Sequence, residues 1–450
     1  MEYDIIVVGG GPAGMISGVT ARKYYPDKKI LLIKSIGKGV IPCGIPYMFT
    51  TLAKPEDNAA GNAPLEKNSI ELMVDEVTGI DKEAKKLMTK AGKTLSYERL
   101  VLATGSHPII PPIEGIDKKG VYCVNKEMDY LKKLKDSIND AKNIVIIGGG
   151  FIGIEFADEL SRLKNAKITL IEMLPEVLAN SFDSEFSKLA GEKLVEAGVE
   201  LLTSAKVVKF NGAEKVESIL LSDGKEVPAD LVILGIGAYP NSELAEKAGL
   251  KIGESKGILV DEYLRTSCPD IFAIGDCAEK KDFFTRKKIN VMLASTATAE
   301  ARITGANLFG LKVVRENKGT IAIYSTKVRN LVLASAGLTE KTASQEGFEI
   351  IIGNAECPDR HPAAIPGMSK MKVKLIFSKQ SGILLGGQVA GSISAGEFVN
   401  IIGLALQKKA SLTELETLQI ATHPHLTAPP TMYPLINAAQ DALKQYEVCK

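Results

Sequence analysis

A pattern of strand, glycine turn, helix and strand occurs twice in this chain, and that duplication constrains the fold more than any other feature. Tyr3 to Val8 is a short apolar run rich in β-branched residues, followed by Gly9-Gly10-Gly11-Pro12-Ala13-Gly14, a helix-compatible stretch to Tyr25 and a strand pattern over Lys29 to Ile33. This is the grammar of a βαβ unit. It returns as a strand over Asn143 to Ile147, a turn Gly148-Gly149-Gly150-Phe151-Ile152-Gly153, a helix over Ile154 to Lys164 and a strand over Lys167 to Ile171. From about residue 320 the texture changes to strand patterns at Thr320 to Tyr324, Phe348 to Ile352 and Lys370 to Phe377, then helical stretches, with no glycine fingerprint. The expected class is α/β: two Rossmann-like dinucleotide-binding domains and a C-terminal α+β domain.

Each glycine in such a turn has a physical task. Gly9 and Gly148 permit the tight turn, Gly11 and Gly150 let backbone approach a pyrophosphate, and Gly14 and Gly153 let helix and strand pack closely. Phosphate then rests on a helix N-terminus. About 20 residues beyond the third glycine, a dinucleotide fold places the group that meets the adenosine ribose. In the second unit that residue is Glu172, which can accept hydrogen bonds from ribose hydroxyls and repels a 2′-phosphate, so NADH is expected over NADPH. In the first unit it is Lys34, which cannot accept such bonds. Lys34 is either a solvated surface lysine or a direct contact near the adenosine end of a cofactor.

Composition removes several classes of function. Apolar residues at 45% and charged residues at 24% belong to a globular chain with a real core. Lys+Arg 55 against Asp+Glu 54 leaves +1, without the basic excess of a nucleic-acid binder. The apolar run from Ile144 to Ile154 is ended by Glu155, well short of the ~18 residues of a membrane span. Glu2 and Asp4 precede the apolar Ile5 to Val8 where a secretory signal would carry positive charge and a longer apolar region, so a cytoplasmic protein is expected. Six cysteines (43, 123, 268, 277, 357 and 449) are too sparse for a disulfide framework or a zinc module, and no metal site is expected.

Further strings join the two fingerprints. Leu100-Val101-Leu102-Ala103-Thr104-Gly105 carries an "ATG" turn, Gly235-Ile236-Gly237-Ala238-Tyr239-Pro240-Asn241 a "GxGxxPN" turn, and Thr266 to Asp276 ends in Ala273-Ile274-Gly275-Asp276. Together they resemble the FAD- and NAD-dependent pyridine nucleotide-disulfide oxidoreductases over nearly the whole chain. The resemblance implies that the first unit (Gly9, Gly11, Pro12, Ala13, Gly14, with Lys34, Thr104 and Gly105) holds FAD. The second (Gly148, Gly150, Gly153, Glu172, with Gly237) holds the nicotinamide nucleotide, and Asp276 after Gly275 holds the ribityl chain of FAD. It also implies a split FAD domain at 1–112 and 243–319, an NAD domain at 113–242 and a dimerisation domain at 320–450 that makes a homodimer.

Cys43 lies in Gly39-Val40-Ile41-Pro42-Cys43-Gly44-Ile45-Pro46-Tyr47-Met48. Dithiol members of the family carry a second cysteine five positions on, where this chain has Met48. The chain therefore resembles the single-cysteine branch of coenzyme A disulfide reductases, persulfide and sulfur reductases, NADH oxidases and NADH peroxidases. Without a resolving thiol, Cys43 must cycle through a mixed disulfide with substrate or a sulfenic acid. The segment after it is expected to open a helix whose dipole lowers the thiol pKa. The bland alternative for Cys43 is a buried structural cysteine, which is the expected role of Cys123, Cys268, Cys277, Cys357 and Cys449.

The chain departs from that branch at several positions. Gly39 and Pro42 replace its serine and asparagine, Pro12 stands where peroxidase and oxidase members place a histidine, and Thr427 replaces the tyrosine of coenzyme A disulfide reductases. Without an imidazole in the first turn, peroxide reduction lacks its usual proton donor. His423-Pro424-His425-Leu426-Thr427 resembles the "HPTLS" string of dithiol reductases, whose histidine serves the substrate thiol across the dimer. His423 is thus the acid/base candidate, or else a turn histidine satisfied by backbone; His361 is read as a loop residue.

The expected function is that of a homodimeric flavoprotein, similar to coenzyme A disulfide reductases, passing electrons from NADH through FAD and Cys43 to a low-molecular-weight disulfide, persulfide or polysulfide. The alternatives are an NADH oxidase reducing oxygen and, in another class, a low-turnover flavin- and NADH-binding sensor or interaction protein.

Overall fold

In the computed structural model, which describes residues 2–315 and 319–448, the duplicated pattern becomes two sheets whose parallel strands are wound in the same way. Strands β1 (Glu2–Val8) and β2 (Ile30–Lys34) are joined by helix α1 (Pro12–Tyr24) and pair in parallel, Ile5 beside Ile30 through Val8 beside Ile33. The sheet runs Glu71–Val74, β2, β1, Thr94–Leu102, then antiparallel through Lys86–Thr89 and Val77–Asp81, with Ile271–Ala273 parallel to Thr94–Leu102. Ile5, Ile6, Val7 and Leu32 are fully buried because both sheet faces are covered, hence the unbroken apolar runs.

The second sheet is wholly parallel. Its strands β3 (Asn143–Ile147) and β4 (Lys167–Ile171) flank helix α2 (Phe151–Leu160), and the order is Glu200–Leu202, β4, β3, Leu231–Leu234, Val121–Cys123. The helix starts three residues before the expected Ile154, because Gly150 is its N-cap and Phe151 and Ile152 are its first turn. It also ends at Leu160, short of Lys164.

The chain passes between these sheets at a two-stranded antiparallel staple, Ser106–Pro108 against Ala238–Pro240. The Thr104 hydroxyl donates to the Asn241 carbonyl at 2.6 Å, and Asn241 N–H donates to the Gly105 carbonyl at 2.9 Å. Helix α3 (Ala294–Asn307) then packs on α1 so closely that a Cβ at Gly305 would fall 2.7 Å from the Ser17 carbonyl oxygen.

The C-terminal part is a five-stranded antiparallel sheet in the order Ile323–Val328, Leu331–Gly337, Leu384–Gly391, Lys370–Ser378, Ile350–Pro358, packed by helices Ala395–Lys408 and Pro434–Val448. Its first strand begins three residues later than the expected Thr320, and the strand expected at Phe348 begins at Ile350. This sheet is bound to the second domain by Lys374, a buried cation whose Nζ lies 3.0 Å from Asp183, 2.7 Å from Glu185 and 2.6 Å from Glu340. Among the described residues no helix is long and apolar enough to cross a membrane.

Candidate active site

The two glycine turns have the same construction. Gly9 and Gly148 adopt φ of +122° and +105°, which a side chain would strain, and a Cβ at Gly14 or Gly153 would collide with the carbonyl oxygen of Gly9 or Gly148. At Gly11 and Gly150, by contrast, a Cβ would meet nothing within 4 Å. These are the N-caps of α1 and α2, so each helix presents free N–H groups to open space, the arrangement a pyrophosphate requires. Pro12 sits at the first position of α1, where its missing N–H costs nothing, and Ala13 beside it is buried against Gly275. The chain therefore fits a dinucleotide at both turns.

The residues that follow the two glycine-turn units at the strand ends differ in charge. Glu172 follows β4 and accepts from the backbone N–H of Gly149 and, at 2.7 Å, of Leu174. It lines a recess of about 80 Å³ with Gly149, Gly150, Phe151 and Leu174. Lys34 ends β2, and it is not simply solvated. Its stem lies over Gly10, and Nζ donates to the Gly37 carbonyl at 3.1 Å and to Asn62 Oδ1 at 2.9 Å. Burial pushes its ammonium below the usual lysine range. A larger cavity of about 450 Å³, lined by residues such as Glu356, Asn437 and Asp441, lies on the C-terminal domain and touches none of these groups.

Cys43 does not open an α-helix. Pro42 and Pro46 break the segment into two single turns of 3-10 helix, Pro42–Gly44 and Pro46–Met48, so the expected helix dipole is absent. The thiol is solvent-accessible, yet the surrounding protein desolvates it and the Glu155 carboxylate repels its anion, pushing its pKa up. Asp276 adds to this rise, while Lys126 and a backbone hydrogen bond oppose it. The thiol pKa, expected to be lowered, is instead raised.

The charges that act on Cys43 thus come from both glycine-turn parts of the chain, and one of them is held by the C-terminal sheet. Asp276 lies in the turn Gly275–Cys277, its Oδ2 accepting from Ser106 Oγ at 2.8 Å; Lys126 Nζ is 3.1 Å from that hydroxyl and 3.8 Å from the carboxylate. Glu155, on α2, accepts from Thr326 Oγ1 of the C-terminal sheet at 2.9 Å, and burial raises its carboxyl to about 7. Tyr47 is pushed up to about 12 by burial and then by Glu155. One turn along α2, Glu159 accepts from the hydroxyls of Thr50 and Thr51, tying the segment after Cys43 to the helix that starts at the second glycine turn. Glu155, Lys126, Ser106 and Glu159 escaped sequence reasoning. The available signal was a pair of carboxylates, Glu155 and Glu159, at helical spacing within an apolar helix.

Residues 3–301 match the family described as pyridine nucleotide-disulphide oxidoreductase, and residues 323–433 match its dimerisation domain. The chain belongs to the pyridine nucleotide-disulphide oxidoreductase family. It is a flavin- and NAD(P)H-dependent oxidoreductase with the family's dimerisation domain, which supports a homodimer. It is 33% identical over 453 residues to a protein named NADH oxidase from Methanocaldococcus jannaschii, covering 98% of each chain. It is 31% identical to a protein named NAD(P)H coenzyme A polysulfide/persulfide reductase from Pyrococcus horikoshii, covering 87% of this chain and 88% of that one. Among solved structures, a NAD-dependent persulfide reductase from A. fulgidus superposes with a TM-score of 0.91 at 32% identity, covering 100% of this chain and 84% of that one.

Within one chain of this oxidoreductase, His423 is not brought to Cys43. It is exposed in a loop, where its N–H donates to Thr427 Oγ1 at 3.0 Å and its Nδ1 accepts from His425 N–H at 3.3 Å. His361, read as a loop residue, belongs to the same loop pair: its Nδ1 lies 3.2 Å from the Thr427 carbonyl. Cys277 and Cys357 are buried, and Cys123 and Cys268 are partly buried; all four are unpaired. Cys449 lies outside the described residues.

Proposed function

We propose that this enzyme, acting as a cytoplasmic homodimer, reduces a low-molecular-weight disulfide, persulfide or polysulfide with electrons from NADH, using Cys43 as nucleophile. The observation that carries this reading is the position of Cys43: accessible, without a second thiol, and close enough to Glu155, Asp276 and Lys126 for all three charges to act on it. The names of the Pyrococcus and A. fulgidus relatives support a sulfur acceptor.

FAD would be held by the first glycine turn, with Lys34 at the adenosine end and Asp276 at the ribityl chain; NADH would be held by the second turn and Glu172. The Cys43 thiol gives its proton to the ionised fraction of Glu155, its sulfur attacks one sulfur of the substrate, a bond forms between them as the sulfur–sulfur bond of the substrate breaks, and the other half departs as a thiolate that takes a proton. Glu155, whose carboxyl is raised to about 7, is ionised in part at neutral pH and so can take the thiol proton beside the cysteine. When bound, the flavin would supply two electrons, received as hydride from the nicotinamide, and the mixed disulfide would open to the Cys43 thiolate and a second substrate thiol, which keeps the proton. Lys126 keeps a positive charge beside Asp276 and opposes the anionic repulsion on the regenerated thiolate. His423 of the partner subunit is the proposed acid for the departing thiol.

A second reading, reduction of oxygen, is favoured by the likeness to the Methanocaldococcus protein named NADH oxidase. Against it, the first turn carries Pro12, which offers no proton. NADH turnover measured side by side with coenzyme A disulfide, polysulfide and oxygen separates the two. The proposal expects a sulfur acceptor to be consumed faster than oxygen, and oxygen as the preferred acceptor overturns it.

A further inference from the structure

Beneath the turn that carries Asp276 lies an ion pair that neither the glycine fingerprints nor the cysteine chemistry uses. Lys280 and Glu300 are 2.9 Å apart, with side chains only 5% and 4% exposed. Desolvating two charges is expensive, and a buried pair is retained where it is fully hydrogen-bonded or where it holds a particular geometry. Here the bonds converge on one residue. Lys280 Nζ donates to the Gly275 carbonyl at 2.6 Å and to the Ala278 carbonyl at 3.1 Å, while Glu300 Oε2 accepts from the Gly275 N–H at 2.8 Å. Both polar backbone groups of the residue before Asp276 are therefore gripped by the pair.

The location gives that grip its meaning. Gly275 has φ +70° and approaches α1 so closely that a Cβ there would stand 3.0 Å from Ala13 Cβ. Glu300 projects from α3, the helix packed on α1. The pair thus joins the first glycine turn, through α1 and α3, to the turn of Asp276, which lies far along the chain.

We propose that Lys280 and Glu300 form a charged clamp that sets the position of Asp276 relative to the first glycine turn, and so fixes how tightly, and in what orientation, FAD is held. They are positioning residues acting through Gly275, not contacts of the cofactor. The inference rests on the assignment of FAD to the first glycine turn. Arg315 also lies within electrostatic reach of Glu300, so the carboxylate keeps one cationic neighbour if Lys280 is replaced.

The test compares wild type with Lys280→Met and with the double variant Lys280→Met/Glu300→Gln, which removes both charges of the pair while keeping side-chain volume. FAD release is followed by the rise of free-flavin fluorescence, the bound flavin by its visible absorption, and the fold by thermal unfolding of the apoproteins. The double variant is expected to unfold close to the wild-type temperature, to release FAD at least about tenfold faster, and to show an altered flavin band. FAD release and absorption unchanged from wild type in the folded double variant overturn the proposal. Should the double variant fail to fold, Lys280→Met decides in the same way; failure of both also overturns it, because the pair then carries the domain rather than the turn. Wild-type protein purified without flavin would instead refute the assignment of FAD to the first turn.

Discussion

Lys34 and Glu172 occupy the same place in the two glycine-turn units, one at the end of β2 against Gly10 and the other just after β4 against Gly149, and they carry opposite charge. A Cβ at Gly10 would lie 2.7 Å from Lys34 Cδ, and one at Gly149 would lie 3.0 Å from Glu172 Oε2. The duplicated architecture therefore places a cation at one strand end and a carboxylate at the other, and under the proposed cofactor assignment these face the adenosine ends of FAD and NADH.

The carboxylate side predicts a preference. NADH should be used with a higher kcat/KM than NADPH, because a 2′-phosphate would face Glu172. Glu172→Ala should narrow the ratio by about tenfold, roughly 1.4 kcal/mol. Equal or better kcat/KM with NADPH in the wild type contradicts the assignment.

The cationic side predicts cofactor retention. Two donors of the Lys34 ammonium are committed to Gly37 and Asn62, and the third remains for a ribose oxygen. Lys34→Ala should lose FAD on mild dialysis, with several-fold weaker binding measured by fluorescence titration of the apoprotein. Unchanged FAD content would show that the lysine serves only its own loop.

Glu155 predicts a pH dependence. Its carboxyl is about 7 in the folded chain against 4.5 for the free group, chiefly through burial. The folded state therefore binds the proton more readily than the unfolded one, and this group's effect lowers stability as pH rises from 4.5 to about 7. Above that range Glu155→Gln should stabilise the apoprotein by up to on the order of 3 kcal/mol, and at pH 4 it should change little. Removing the charge should also lower the Cys43 thiol pKa, moving the pH profile of its alkylation to lower pH. A profile unmoved by the substitution would show that Glu155 does not act on the thiol.

His423 predicts a split between half-reactions. His423→Ala should slow disulfide turnover by about 10²-fold while flavin reduction by NADH, followed by stopped flow, remains nearly intact. If both half-reactions survive unchanged, the histidine is a turn residue held by Thr427.

Much of this architecture was legible because local rules and tertiary demand agree. The runs at β1 and β3 are continuously apolar because both sheet faces are covered, and Gly14 and Gly153 are required by contacts within a few residues of themselves. The surroundings of Cys43 were not legible in the same way. Pro42 and Pro46 give two single turns where an α-helix was expected, and the groups that act on the thiol arrive from distant strands and helices. The partner of Glu155 is Thr326, on a strand of another domain, which no local spacing announces. Of the C-terminal strands, the one at Lys370 was read at its true start and those at Ile323 and Ile350 were placed early by three and two residues, while Leu331–Gly337 and Leu384–Gly391 were not read.

Cys43→Ser tests the central claim most directly. A disulfide or persulfide reductase must capture the substrate sulfur covalently, whereas slow reduction of oxygen to peroxide proceeds at a reduced flavin without the thiol. The variant, assayed with NADH and polysulfide in one cuvette and with NADH and oxygen in another, should still bleach its flavin with NADH. Sulfur reduction should vanish, and slow oxygen consumption with peroxide release should persist. The account is contradicted if the wild-type enzyme ignores every disulfide and polysulfide offered, reduces oxygen rapidly to water, and loses that water-forming activity when Cys43 is replaced.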